Sequence, residues 1–133
     1  MNFELSEEQI MLRDMARKFA EQEMLPTLKD YERQRKVNHH IIKKMAALGL
    51  LGAHIPKEYG GEGLDYTSAV IIWEQLSWAS WTQTLTSLGH APLAGTILMN
   101  LESEEMKQKY LPAICRGETI VAVAATVLII SET

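Results

Sequence analysis

The segment "LLGAHIPKEYGGEGLD", residues 50–65, divides the chain and decides how the rest is read. It holds four of the eight glycines and one proline within about a dozen residues. Gly60, Gly61 and Gly63 supply positions where positive φ is available at low cost, so the stretch reads as a turn-rich connection between helices. "GGEG" resembles a phosphate-binding loop only loosely. It lacks the Lys-Ser/Thr pair and follows no convincing strand, so a structural turn is the better reading.

On the N-terminal side, "ELSEEQIMLRDMARKFAEQEM" predicts a helix. Ser6 and Gln9 form a capping-box pattern, and Glu7 and Glu8 sit where the helix dipole favours anions. Leu12, Met15, Ala16, Phe19 and Ala20 recur at helical spacing as an apolar face. Pro26 is expected to end that helix or to begin a new turn. The charged run "LKDYERQRKV" reads as a short exposed helix or loop. Asn38 then caps "HHIIKKMAALG", with Ile41, Ile42, Met45 and Leu48 expected inside and Gly49 as its stop.

On the C-terminal side, Asp65 looks like the cap of "YTSAVIIWEQLSWAS", with Ala69, Ile72, Trp73 and Leu76 on one face. "WTQTLTSLGHAPLAGTILMNL" reads as a further apolar helix disturbed by Gly89 and Pro92. Ser103 caps "EEMKQKYLPAICRG", expected to end at Pro112 and Gly117. Beyond that, Thr119 to Ile130 is apolar and rich in β-branched residues, which predicts a strand. The fold class is mainly α, with about five to six helices plus a C-terminal β-strand.

The totals exclude several functions. The chain has 133 residues, 47% of them hydrophobic, and a net charge of −4, which disfavours nucleic acid as a partner. No apolar run reaches the roughly 18 residues of a membrane span. The acidic, polar start "MNFELSEEQ" is neither a signal nor a transit peptide, and one cysteine cannot form an internal disulfide. A cytoplasmic location is the expectation.

Chemistry-bearing residues are few. His39 and His40 are adjacent, so on a helix they diverge by about 100° and cannot chelate together. His54 and His90 lack ligands at metal spacing, and no metal site is expected. Cys115 has no His–Asp partner nearby in sequence, so no nucleophile is assigned, and no catalytic residue is identified. Trp73, Trp78 and Trp81 fall within nine positions, as core packing between helices or as the wall of an apolar ligand pocket.

Three strings in order, "FELSEEQIMLRDMARKFAEQEMLP", "LGLLGAHIPKEYGGEGLDY" and "EEMKQKYLPAICRGE", resemble the N-terminal domain of the acyl-CoA dehydrogenases over about residues 2–126. The resemblance implies a helical domain at 1–118, followed at 119–133 by the truncated first strand of a middle β-domain. It implies a parent reaction, the FAD-dependent α,β-dehydrogenation of an acyl-CoA thioester, with a base supplied from a C-terminal part that these residues do not contain. By the same resemblance "WTQTLTSLG" matches the helix lining the acyl tail. Trp81, Thr84, Leu85 and Leu88 would face the cavity, leaving Trp73 and Trp78 in the core. Thr126 aligns with a threonine near the flavin, but Val127 and Leu128 replace the family's Glu-Pro. The chain alone is therefore expected to be inactive and not to hold FAD tightly. The alternatives are a standalone interaction module, homo-oligomeric or joined to a partner chain through the terminal strand, and a non-catalytic acyl-CoA binder.

Overall fold

The computed structural model describes residues 4–101 and 103–123, with side chains for all of these except 86, 88–91 and 101. Among the described residues there are seven α-helical segments: α1 (Glu7–Phe19), α2 (Leu25–Gln34), α3 (His39–Ala47), α4 (Tyr66–Ala79), α5 (Trp81–Leu88), α6 (Thr96–Leu101) and α7 (Glu104–Cys115). A π turn at Ala20–Met24 runs α1 into α2, and a second at Gly89–Gly95 runs α5 into α6. The segments therefore make five rods, which agrees with the mainly α expectation. Residues 119–123 carry no strand, and the rest of the expected strand, with Thr126, lies outside the described residues.

The caps are formed as local chemistry predicts. The Ser6 hydroxyl accepts from the Gln9 amide at 3.2 Å, and the Gln9 side chain accepts in return from the Ser6 amide at 3.1 Å. Asn38, Asp65 and Ser103 accept from Ile41, Ser68 and Met106 in the same way. At Asp65 the carboxylate takes both the backbone N–H and the hydroxyl of Ser68, which holds its pKa below the ordinary value. A carboxyl with a folded pKa below its unfolded one stabilises the fold above the unfolded pKa and loses that contribution as pH falls through the folded value. Asp65→Ala is expected to lower the melting temperature by a few degrees at pH 7, and by less below pH ~3. Thermal melts of both proteins across pH test this, and an equal deficit at both pH values would contradict it.

Pro26 begins a new turn, the second of the two outcomes expected for it, whereas Pro112 does not stop its helix. Leu25 donates its N–H to Ala20 O, five residues back, so the wider π turn carries the chain into Pro26. Thr27 then donates its hydroxyl toward Glu23 O and Met24 O, at 3.3 and 3.2 Å, as a side-chain bond back onto the preceding turn. Pro112 sits inside α7, which continues to Cys115. The stop is Gly117 alone, at φ 64, where Gly117 N–H bonds Ile114 O and Glu118 N–H bonds Ala113 O.

The core is built on the packing of α1 and the first π turn against α4, and α3 and α7 add residues to the same cluster. Ala16, Phe19 and Met24 face Ala69, Ile72 and Leu76, with Ile41, Ile42 and Met45 beside them and Leu111 and Ile114 closing one end. Leu48 departs from expectation: it is 50% exposed, because α3 ends one residue earlier and Leu48 falls in the cap. The 50–65 loop doubles back on itself through backbone bonds, Leu64 N–H to Ala53 O (2.8 Å), Glu62 to Gly52 (3.0 Å) and Gly63 to Ile55 (2.9 Å). This tight return buries Leu50, Leu51, Ala53 and Ile55 under the helices. The Tyr59 hydroxyl donates to the Glu104 carboxylate at 2.9 Å, tying the loop to the start of α7 and pushing the phenol up to about 12.

Candidate functional site

The site predicted on α5 is built at a sharp corner. Ser80 has extended backbone (φ −159, ψ 111) between α4 and α5. Its hydroxyl accepts from the Gln83 amide at 3.3 Å and its carbonyl from the Thr84 amide at 3.0 Å, so α5 starts anew at a fixed angle. Trp81 and Leu85, one turn apart, are 60% and 51% exposed. Thr84 is fully buried, and its Oγ1 has no hydrogen-bond partner. Ser87, also buried, donates its hydroxyl to Thr84 O at 2.8 Å. Leu88 belongs to α5, but its side chain is outside the described residues. The structure thus places Trp81 and Leu85 together on an open apolar face and sets Thr84 at that face's buried edge.

The other tryptophans divide. Trp73 is half-buried against the core and meets the His54 ring edge-on at 5.8 Å. Trp78, expected inside, is 54% exposed, with the Arg17 guanidinium 3.9 Å over its ring. Arg17 also donates to Gln75 Oε1 at 2.8 Å, so α1 provides an ionic cover for that ring in place of apolar packing.

His54 carries more structure than its sequence context suggests. It is buried, and its Nε2 lies 2.9 Å from Thr96 Oγ1. The Thr96 hydroxyl donates to Pro92 O, so Thr96 Oγ1 accepts from Nε2–H. The ring is the Nε2–H tautomer, and its bare Nδ1 has no partner. Burial lowers the His54 pKa, which keeps the ring neutral. This chain of bonds fastens the 50–65 loop to the second π turn, at the end of the α5 wall. A contact spanning 42 residues leaves no local signal, and the sequence reading missed it.

The remaining candidates are structural. Cys115 is buried beside Gly52, and burial pushes its thiol up to about 11, which leaves it protonated at neutral pH. His39 and His40 are exposed at the start of α3. Among the described residues no three His, Cys, Asp or Glu side chains gather as a metal would need. No helix among them is long and apolar enough to cross a membrane.

The capped helices, the glycine-rich return and the corner before α5 define an all-helical domain among the described residues. The model of the acyl-CoA dehydrogenase N-terminal domain matches residues 6–118, and the chain belongs to the acyl-CoA dehydrogenase family. It is 36% identical to the short-chain specific acyl-CoA dehydrogenase of Clostridium acetobutylicum, over 95% of this chain and 33% of that one. It superposes on the glutaryl-coenzyme A dehydrogenase glutaryl-CoA complex with a TM-score of 0.85, at 28% identity, over 90% of this chain and 31% of that one. An acyl-CoA dehydrogenase from Bacillus anthracis, solved with FAD, gives a TM-score of 0.81 at 34% identity, over 88% of this chain and 20% of that one. The chain spans about a third of the length of the first of these relatives.

Proposed function

We propose that this chain forms the acyl-side wall of an acyl-CoA dehydrogenase, with α5 lying along the acyl tail. The observation that carries the reading is the pair Trp81 and Leu85, 60% and 51% exposed and one turn apart on a helix whose next face is buried. An apolar surface held open beside a rigid core is what a pocket wall needs before the opposite wall is added. The bulk of Trp81 and Leu85 points to a short or reshaped cavity. Thr84, at its buried edge, supplies a hydroxyl without a partner among the described residues.

The reaction proposed for the complete enzyme is α,β-dehydrogenation of an acyl-CoA thioester, in which FAD accepts the β-hydrogen as hydride. Thr126, the one residue that the resemblance places near the flavin, is outside the described residues, and no step is assigned to it. The part of this chain is to position the acyl tail and keep water from it. We read the domain as residues 1–118, followed at 119–133 by the start of a β-domain strand.

By itself the 133-residue chain is expected to purify without flavin absorbance and to show no acyl-CoA-dependent dye reduction. Flavin retained near one-to-one would contradict this. The wall is tested separately. Tryptophan emission should respond to an acyl-CoA and not to free CoA, and Trp81→Phe should remove most of the response. A flat titration of the wild-type chain would remove α5 as the acyl wall.

A further inference from the structure

A second concave site lies away from the open face of α5. The second half of α2, the turn after it and the start of α5 enclose a trough of about 450 Å³, lined by Leu28, Arg35, Lys36, Val37 and Gln83 among others. Through Lys36, Val37 and Gln83 it adjoins a pocket of about 60 Å³ walled by Ile41 of α3.

Three observations are independent of the acyl wall. First, both polar atoms of the Gln83 amide, Nε2 and Oε1, are shielded from solvent and have no hydrogen-bond partner. Leaving such a group unmade costs about 1–3 kcal/mol, so a native fold rarely keeps one without a purpose. Second, Arg35 and Lys36 line the same trough with no ion-pair partner among the described residues. The carboxylate of Glu32, also in the lining, offsets only one of these two charges. Third, Arg35 has φ 53, the only non-glycine residue with positive φ among those described. It is the left-handed cap that closes α2, with the Arg35 N–H on Glu32 O and the Lys36 N–H on Tyr31 O, so it fixes the turn that carries both cations.

We infer that this trough binds a small carboxylate with an apolar tail. Leu28, Val37 and Ile41 would cover the tail, while the carboxylate meets Lys36 and Arg35 and, with the Gln83 side chain turned out of its shielded position into the trough, accepts the Gln83 Nε2–H. Gln83 Oε1 then accepts from the Lys36 ammonium brought in by the anion. A purely apolar ligand would leave the amide and both cations as they are. A phosphate would have no use for the apolar floor. The proposal is independent of the α5 acyl wall, and loss of one leaves the other standing.

The test is a titration of the full 133-residue chain, isotope-labelled, with hexanoate and with hexan-1-ol as the uncharged control. Hexanoate is expected to shift the backbone amides of Lys36 and Val37 and the side-chain amide of Gln83 saturably, with Kd under about 1 mM. Hexan-1-ol should bind at least about tenfold more weakly, since a charge-assisted hydrogen bond is missing. Lys36→Met and Gln83→Met, each with an unchanged dispersed spectrum, should each weaken hexanoate by about tenfold. Absence of saturable shifts, equal affinity for the alcohol, or two folded variants that bind hexanoate like the parent would each overturn the assignment.

Discussion

Gly61→Ala is expected to destabilise the chain by about 3 kcal/mol or more, which lowers the melting temperature by about 10 °C. The reason is the tightness of the 50–65 return. A Cβ on Gly61 would sit 2.0 Å from the Ile55 carbonyl oxygen and 2.7 Å from the Gly52 oxygen. Both obstacles are backbone, so no side chain can swing aside. The two oxygens also accept the Gly63 and Glu62 amides, so moving them breaks the hydrogen bonds that close the loop. Ile55 is fully buried, and displacing its backbone also disturbs the core beneath. A thermal melt followed by circular dichroism reads the effect. A shift under about 2 °C would mean that the loop relaxes at little cost, and that its glycine is there for some other reason.

The second large effect is expected at Leu111, fully buried on α7. Leu111→Ala should cost about 2–5 kcal/mol, the lost transfer energy plus the cavity left behind. The site is poorly placed to collapse. One side is the second π turn, where an added Cβ on Gly95 would stand 3.9 Å from Leu111 Cδ2 and 3.1 Å from Ile55 Cδ1. That turn is held to the loop by the His54–Thr96–Pro92 bonds, so it cannot slide in to fill the space. Leu111→Met, of similar volume, should cost under about 1.5 kcal/mol. Urea denaturation of the two variants separates the cavity effect from a general intolerance of change. Equal losses would show that shape at this position matters more than volume.

What was legible in the sequence is what depends on neighbours three or four residues away. The caps at Ser6, Asn38, Asp65 and Ser103 are such features, because each is closed by an amide three residues on. The stop at Gly49 and the apolar stripe of α1 were readable for the same reason. The prolines were harder. Their steric rule is local, but whether a helix survives depends on how the backbone is rerouted, as the Leu25 N–H is to Ala20 O just before Pro26. Trp78 was misplaced because helical spacing describes one helix, and the cation that covers its ring comes from another.

The candidate site divides on the same line. Trp81 and Leu85 share a face by spacing alone, and that was readable. The burial of Thr84 and the unmet amide of Gln83 follow from how α5 leaves the Ser80 corner, which no window of sequence contains. The bond from His54 to Thr96 joins parts of the chain that only the fold brings together.

The π turns have a consequence for any helical wheel drawn through this chain. A five-residue bond inserts one residue more than the α-helix requires, and one residue is about 100° of rotation. Everything downstream of Ala20–Met24 is therefore out of phase with everything upstream. The stripe that buries Ala16 and Phe19 points elsewhere by the time it reaches α2, which has no fully buried residue. The second π turn does the same between the wall helix and α6. Each works as an angular gear: one surplus residue beside a proline lets a single continuous rod turn its greasy side inward over one stretch and away over the next.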